Sequence, residues 1–264
     1  MNDIIYQTNL YSTQMKGTSI GTDQKEITDF IAILLYMGIV DLPSYEDYWA
    51  TGTRIPHVAD LMPVKRFKTL RRYIHFNNND TLTANTTDRY FKIRPLIEKF
   101  RTNFKRFHMD NDYSIDETMV AYKGTRAGNL RQYIKNKPHK WGYKFFVLAE
   151  VSGYIRDFIS YQGGNTFDVL QGTENELSQR EKDMGVGAGV VIALEKSLQE
   201  PDKSTLFFDN YFAGLSLFLY LKNKMNIYSL GTLRSNRIAG CPIETDKVLQ
   251  KQGRGSFDFK SDNY

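Results

Sequence analysis

The spacing of apolar residues changes near residue 110, and this change constrains the fold more than any other feature of the chain. Before it the period is helical. Asp23, with Glu26 three residues later, forms a capping-box pattern, and the helix it opens runs to residue 40. Leu42-Pro43 ends that helix, because proline lacks the backbone donor and restricts the residue before it. A second helix is predicted over residues 64–74 and a third over 94–107, with Pro95 suited to its first turn. Leu96, Ile97, Phe100 and Phe104 fall on one face of the third. Residues 77–87, rich in Asn, Asp and Thr, read as an exposed loop.

After residue 110 the pattern is mixed. Strands are predicted over residues 113–122, 141–151 and 154–161, the last two joined by a Ser152-Gly153 turn. A helix over 189–198, a short strand over 204–208, a helix over 212–223 and a strand over 227–233 follow. Strands first and then alternating helices and strands define an α/β chain with a mixed sheet and helices on its faces. The boundary divides the chain into 1–110, helical, and 111–264, the mixed-sheet part. A length of 264 residues accommodates one large domain or two small ones.

Composition excludes several classes. Hydrophobic residues are 41% and charged residues 25%, a globular balance unlike collagen, disordered chains or multi-span membrane proteins. The longest apolar run, residues 30–40, is shorter than the roughly 20 residues a bilayer span needs and reads as a buried helix, so no membrane partner is expected. The single cysteine, Cys241, excludes an internal disulfide framework and a cysteine-rich zinc site. His57, His75, His108 and His139 show no metal-ligand spacing. The N-terminal stretch has no basic n-region and no apolar h-region, so it is not expected to be a targeting segment. Ile4, Ile5 and Leu10 read as part of an element rather than a free terminus, and residue 264 closes no element, so both ends read as those of a fragment. The net charge of +5 points toward an acidic partner.

Three clusters carry candidate chemistry. Asp116 lies within the first predicted strand and Asp209 ends the fourth. Carboxylates among apolar strand residues are costly unless paired or metal-bound, and two on adjacent strands suit a hard cation such as Mg²⁺. The alternative is an ion pair at Asp116 and a helix cap at Asp209. From residue 123 to 144 the charged residues are all basic: Lys123, Arg126, Arg131, Lys135, Lys137, Lys140 and Lys144, interleaved with His139 and Trp141. That density suits phosphate contacts; a solvated connection is the alternative. Arg234 and Arg237, with Ser235 and Asn236, follow a strand and offer a further phosphate grip or a plain polar loop. Gly185-Val186-Gly187-Ala188-Gly189 resembles a dinucleotide loop, but residues 179–183 before it are no buried strand, so no small-molecule cofactor is expected.

Taken together, the blocks Ser114-Ile115-Asp116-Glu117-Thr118-Met119-Val120, Tyr122-Lys123-Gly124, Lys137-Pro138-His139-Lys140-Trp141-Gly142-Tyr143-Lys144, Phe208-Asp209-Asn210-Tyr211-Phe212, Gly231-Thr232-Leu233-Arg234-Ser235-Asn236-Arg237 and Arg254-Gly255-Ser256-Phe257-Asp258 resemble the piggyBac transposase family in order and spacing. The resemblance covers most of the chain. It implies an RNase H-like catalytic core over 111–264, incomplete at its C-terminus, preceded by a helical DNA-binding and dimerisation region over 1–110. It implies Asp116 and Asp209 as catalytic, metal-holding residues, Mg²⁺ or Mn²⁺ as the cofactor, and double-stranded DNA cut and joined at TTAA sites. It further implies a homodimer and a nuclear location.

The sequence also departs from the family pattern. The family's third carboxylate sits in a Gly-Gly-Val-Asp block that is absent here; the acids after Arg237 are Glu244, Asp246, Asp258 and Asp262, none in that context. With one cysteine, these 264 residues are not expected to build the family's C-terminal cysteine-rich domain. The expectation is a transposase fragment with little or no transposition by these residues alone. The alternatives are a domesticated, non-catalytic DNA-binding protein and a truncated product without function.

Overall fold

The computed structural model of the protein describes residues 1–107, 110–125, 127–238 and 240–261. The chain forms two compact units, Met1–Asn103 and Phe104–Tyr264. No helix among the described residues is long and apolar enough to cross a membrane.

The first unit is built on helices α1 (Asn2–Lys16), α2 (Gln24–Ile39), α3 (Pro56–Ala59) and α4 (Val64–Tyr73), with α5 (Arg94–Phe104) at its end. Asp23 caps α2 as its spacing predicts: the side chain accepts from the Glu26 N–H at 2.8 Å. Glu26 itself is turned to α4, where the Arg66 Nε donates to its carboxylate at 2.7 Å. Ile27, Phe30 and Ile33 of α2 meet Phe67 and Leu70 of α4 in one core with Tyr48, Val58 and Met62, and the Phe30 and Phe67 rings lie 5.2 Å apart.

Two apolar readings change here. The run over residues 30–40 is buried on one side only, with Leu34 and Leu35 exposed and Ile39 84% exposed. A continuous apolar run wraps all round a helix, whereas a single core contacts one stripe of it. In α5 the buried residues are Ile97 and Arg101, and Phe100 is exposed.

The second unit is organised around a six-stranded mixed sheet. Its strands are β1 (Asp112–Ala121), β2 (Arg131–Tyr133), β3 (Trp141–Glu150), β4 (Ile155–Ser160), β5 (Thr205–Phe208) and β6 (Tyr228–Gly231). β3 runs antiparallel to β1, with Asp116 opposite Val147, and pairs on its other side with β2 and β4. β5 runs parallel to β1, and β6 parallel to β5. Read from β4, the order is β4-β3-β1-β5-β6. The crossover into β5 carries α6 (Gln179–Asp183) and α7 (Val186–Glu195); that into β6 carries α8 (Leu215–Tyr220), extended by a π-turn over Leu221–Met225. Val190 to Leu194 of α7 are fully buried and pack with Tyr113, Ile115, Phe146, Leu148, Leu206 and Phe208 of the sheet.

β2 was not expected in the basic connection, and α7 starts three residues earlier than predicted. Gly187 and Gly189 in the first turn of α7 are contact positions. A Cβ on Gly187 would stand 2.7 Å from the Tyr211 carbonyl oxygen, so only glycine lets the helix approach the segment after β5. Gly142 is tighter still: its Cβ would lie 2.2 Å from the Val120 carbonyl oxygen across the β1–β3 ladder. Gly142→Ala is therefore expected to destabilise the second unit by about 1–3 kcal/mol, since a backbone atom cannot move aside. Urea unfolding monitored by tryptophan fluorescence checks this.

Candidate functional site

Ile115 of β1 is level with Phe208 of β5, and each is followed by an aspartate. Asp116 and Asp209 therefore follow at the same level on neighbouring parallel strands, whose backbones run about 4.8 Å apart. β5 ends there, whereas β1 continues to Ala121 against β3. The pair thus sits at the carboxyl end of β5, where open α/β sheets form their ligand crevices.

Alternation along β1 fixes the orientation of Asp116. Tyr113 and Ile115 are buried, while Ser114 and Asp116 face the open side, the Asp116 side chain being 61% exposed. One Asp116 oxygen accepts from the Glu117 N–H at 2.7 Å; the other lies 3.7 Å from the Lys137 ammonium. Asp209 accepts from the Tyr211 N–H at 2.8 Å, and its carbonyl accepts from the Phe212 and Ala213 N–H groups at 3.2 Å each. Asp209 thus closes a turn; α8 starts later, after Gly214.

The basic run forms a hairpin. β2 pairs with the start of β3, the Ile134 N–H donates to the Lys140 carbonyl at 2.8 Å, and Lys135, His139 and Lys140 are exposed at its tip, as is Lys123 beyond β1. Arg131 stacks on Trp141 at 4.2 Å and donates to the Gly124 carbonyl at 3.2 Å. Lys137 folds back instead: its ammonium donates to the Glu117 carbonyl at 3.0 Å and lies 3.4 Å from the Glu117 carboxylate. Arg126 lies outside the described residues.

Arg234 and Arg237 clasp the segment after Asp209. Arg237 donates through Nη1 to the Asn210 and Ala213 carbonyls at 2.8 Å each, and Arg234 donates from Nε to the Asn210 side-chain oxygen at 3.0 Å.

Lys144, read in the sequence only as part of the basic run, and Glu117, not singled out there, also belong to this corner. Lys144 lies over the Tyr211 ring at 4.4 Å and the Phe146 ring at 4.7 Å. Burial holds its ammonium pKa below the usual lysine value, against the opposing pull of the Glu117, Asp116 and Asp209 charges. Glu117, the second, is pushed up by burial and then by Asp116, with Lys137 and Lys144 opposing. The signal available in sequence was parity: Glu117 shares the inward register of Ile115.

Oxygen-only donors level with each other on neighbouring strands suit a hard cation, and Mg²⁺ is commonly held by one or two carboxylates completed by water and substrate phosphate. Asp116 and Asp209 fit that role. No group of three or more His, Cys, Asp or Glu able to hold a metal occurs among the described residues. Of the later acids, Asp258 is engaged with the Glu244 N–H at 2.9 Å and Asp246 opens α9 (Asp246–Gln252).

The strand order, with acids on β1 and at the end of β5, defines an RNase H-like core. The family model described as Transposase IS4 matches residues 1–263, and the chain belongs to that family, in its piggyBac-type branch. It is 32% identical to human PiggyBac transposable element-derived protein 3 over 264 residues, which is 98% of this chain and 42% of that protein. It is also 32% identical to human PiggyBac transposable element-derived protein 2, covering 99% of this chain and 42% of that one. The chain thus spans about two fifths of the length of these relatives. The fold matches a cryo-EM structure of a piggyBac transposase synaptic complex with hairpin DNA at TM-score 0.75 and 22% identity, over 94% of this chain and 50% of that one.

Proposed function

We propose that this chain supplies part of a piggyBac-type DNA transposase that cuts and joins double-stranded DNA at TTAA sites. The observation that carries the reading is the matched level of Asp116 and Asp209 on adjacent parallel strands, in a member of a transposase family. DDE-type transposases generally use a divalent metal; here Asp116 and Asp209 would hold Mg²⁺ or Mn²⁺. When bound, that ion supplies activation of the attacking water or 3′-hydroxyl and stabilises the leaving oxygen of the phosphodiester.

The chain's own residues do the rest. Lys144 offsets the repulsion among Asp116, Glu117 and Asp209 before metal arrives. Arg234 and Arg237 hold the turn that aims Asp209, and contact phosphate on their outer side. Lys123, Arg126, Arg131, Lys135, Lys137, His139 and Lys140 form the phosphate-contacting surface on and beside the hairpin. Lys137 also reaches the carboxylate corner, so it neutralises Asp116 where the DNA backbone must approach. Residues 1–110 serve DNA binding and homodimerisation, and residues 111–264 the catalytic core. The place of action is the nucleus.

Two carboxylates form an incomplete site, so cleavage requires residues beyond this chain. In a cell-based excision assay with a TTAA-flanked element, a full-length protein containing this chain is expected to excise, and the 264-residue chain alone is expected not to. Efficient excision by the chain alone, or none by the full-length protein, overturns the reading.

A further inference from the structure

One cation of the β2–β3 hairpin is turned away from the surface. Lys135, His139 and Lys140 stand exposed at the tip, but Lys137 between them is half-buried. Its backbone is held on both sides. The Lys137 N–H closes a turn on the Ile134 carbonyl at 3.4 Å, and Pro138 disfavours a helical conformation in the residue before it. The side chain runs back to β1, where its ammonium donates to the Glu117 carbonyl at 3.0 Å.

The contact falls on one particular atom of the carboxylate pair. The Oδ1 of Asp116 is engaged by the Glu117 N–H at 2.7 Å. The Oδ2 is the oxygen that faces Lys137, at 3.7 Å. Asp116 Oδ2 is therefore the oxygen left for a cation, and a tethered positive charge already stands beside it. A divalent ion on that oxygen meets the ammonium as a like charge, so the two compete for it.

The hold on Lys137 is weak enough to be exchanged. One hydrogen bond, to a backbone carbonyl, anchors the ammonium. Its distances to the Asp116 and Glu117 carboxylates, 3.7 Å and 3.4 Å, exceed the roughly 2.7–2.9 Å of a charge-assisted hydrogen bond. Lysine carries three donors on a flexible four-carbon stem, so a phosphate oxygen arriving at the hairpin tip can draw it outward. We propose that Lys137 is a tethered competitor for the cation at Asp116, and that DNA phosphate removes it. The carboxylate corner then gains its full cation affinity only when DNA lies on the hairpin. Linkage makes the effect reciprocal: a loaded corner releases Lys137 to phosphate. This deepens the transposase reading and rests on its assignment of Asp116 as a metal ligand.

The test is Mn²⁺ binding by the 264-residue chain without DNA, read from the electron paramagnetic resonance signal of free Mn²⁺. K137Q is expected to tighten binding about two- to fivefold, the effect of one partly exposed charge. K137R, which keeps the charge, is expected to stay nearer wild type, and D116N to abolish binding. Unfolding midpoints equal to that of wild type show that the variants fold. Saturating duplex, with the Mn²⁺ taken up by duplex alone subtracted, is expected to tighten binding in wild type and to do so less in K137Q. Unchanged or weaker binding in K137Q, with D116N still inactive in binding, overturns this inference and leaves the metal assignment intact. So does as large a tightening in K135Q/K140Q, which makes the effect a general field of the tip, or an equal gain from duplex in wild type and K137Q. Wild-type binding in D116N, or no binding in either wild type or K137Q, overturns the metal assignment as well.

Discussion

Asp116→Ala and Asp209→Ala are each expected to abolish metal-dependent DNA cleavage by a full-length protein containing this chain while leaving the chain folded. The stability side follows from what each side chain does locally. Asp116 is exposed, and its contact with Lys137 at 3.7 Å is of the exposed kind worth about 0–1 kcal/mol. Asp209 loses one hydrogen bond, to the Tyr211 N–H, worth about 1 kcal/mol, while the Arg237 clasp on the same segment stays. The activity side is far larger. Residues that merely orient a metal ligand already cost about 10–100-fold when removed, and a ligand itself is expected to exceed that. Asp116→Asn refines the test, because it keeps an acceptor for the Glu117 N–H and removes only the charge; it is expected to be as inactive as Asp116→Ala. The measurement is nicking of a TTAA-flanked duplex in Mg²⁺ and in Mn²⁺, with circular dichroism of each variant. Cleavage within a few-fold of wild type in either aspartate variant would remove the metal assignment.

The longer strands were legible because their alternation is strong: Tyr113 and Ile115 inward, Ser114 and Asp116 outward, is the period of a half-buried strand written directly in residue types. β2 was not legible. Three residues of Arg-Gln-Tyr carry no pattern, and they become a strand only because Trp141–Tyr143 lies alongside. α8 was placed too early for a related reason: Phe212 and Ala213 extend its apolar pattern, but the turn closed by Asp209 and the Arg237 clasp holds them out of the helix, which starts only after Gly214. Both aspartates could be found in sequence, as polar residues inside apolar strands. Their surroundings could not, because Lys144 and Glu117 reach the corner only through the β1–β3 register, and Lys137 only through the closure of its hairpin. The short helix α6 shows the opposite case. Its Ser178 and Glu181 form a complete capping box, a signature readable directly in the sequence.

Glu195 is expected to make the second unit less stable as the pH rises through neutrality, and Glu195→Gln is expected to abolish that dependence. The side chain lies on the buried face of α7, 4% exposed, and its Oε2 has no hydrogen-bond partner among the described residues. The adjacent cation, Lys196, is committed to Glu181, 3.0 Å away, and donates to the Glu176 carbonyl at 2.7 Å. Glu181 is further satisfied by the Ser178 N–H at 2.6 Å and the Tyr220 hydroxyl at 2.9 Å. The two acids therefore diverge. Burial opposes the Glu181 charge, but Lys196, Ser178 and Tyr220 outweigh it and hold the carboxyl at about 2. Burial pushes Glu195 up to about 7; Lys196 opposes this and Glu181 adds to it. The signs are opposite too. Glu181, depressed on folding, contributes stability above its unfolded pKa of about 4.5, lost as the pH falls toward 2. Glu195, raised on folding, binds a proton in the folded state that the unfolded chain has released between about pH 4.5 and 7, so stability falls as the pH rises through that window, by roughly 3 kcal/mol at most. Glutamine keeps the shape without the charge. Urea unfolding of both proteins at about pH 5 and pH 8 is expected to place the variant level with or below wild type in acid and above it by a few kcal/mol in base, or several degrees in Tm. Parallel pH profiles for wild type and Glu195→Gln would mean that Glu195 is charged in the folded state and that the buried carboxylate has found a partner.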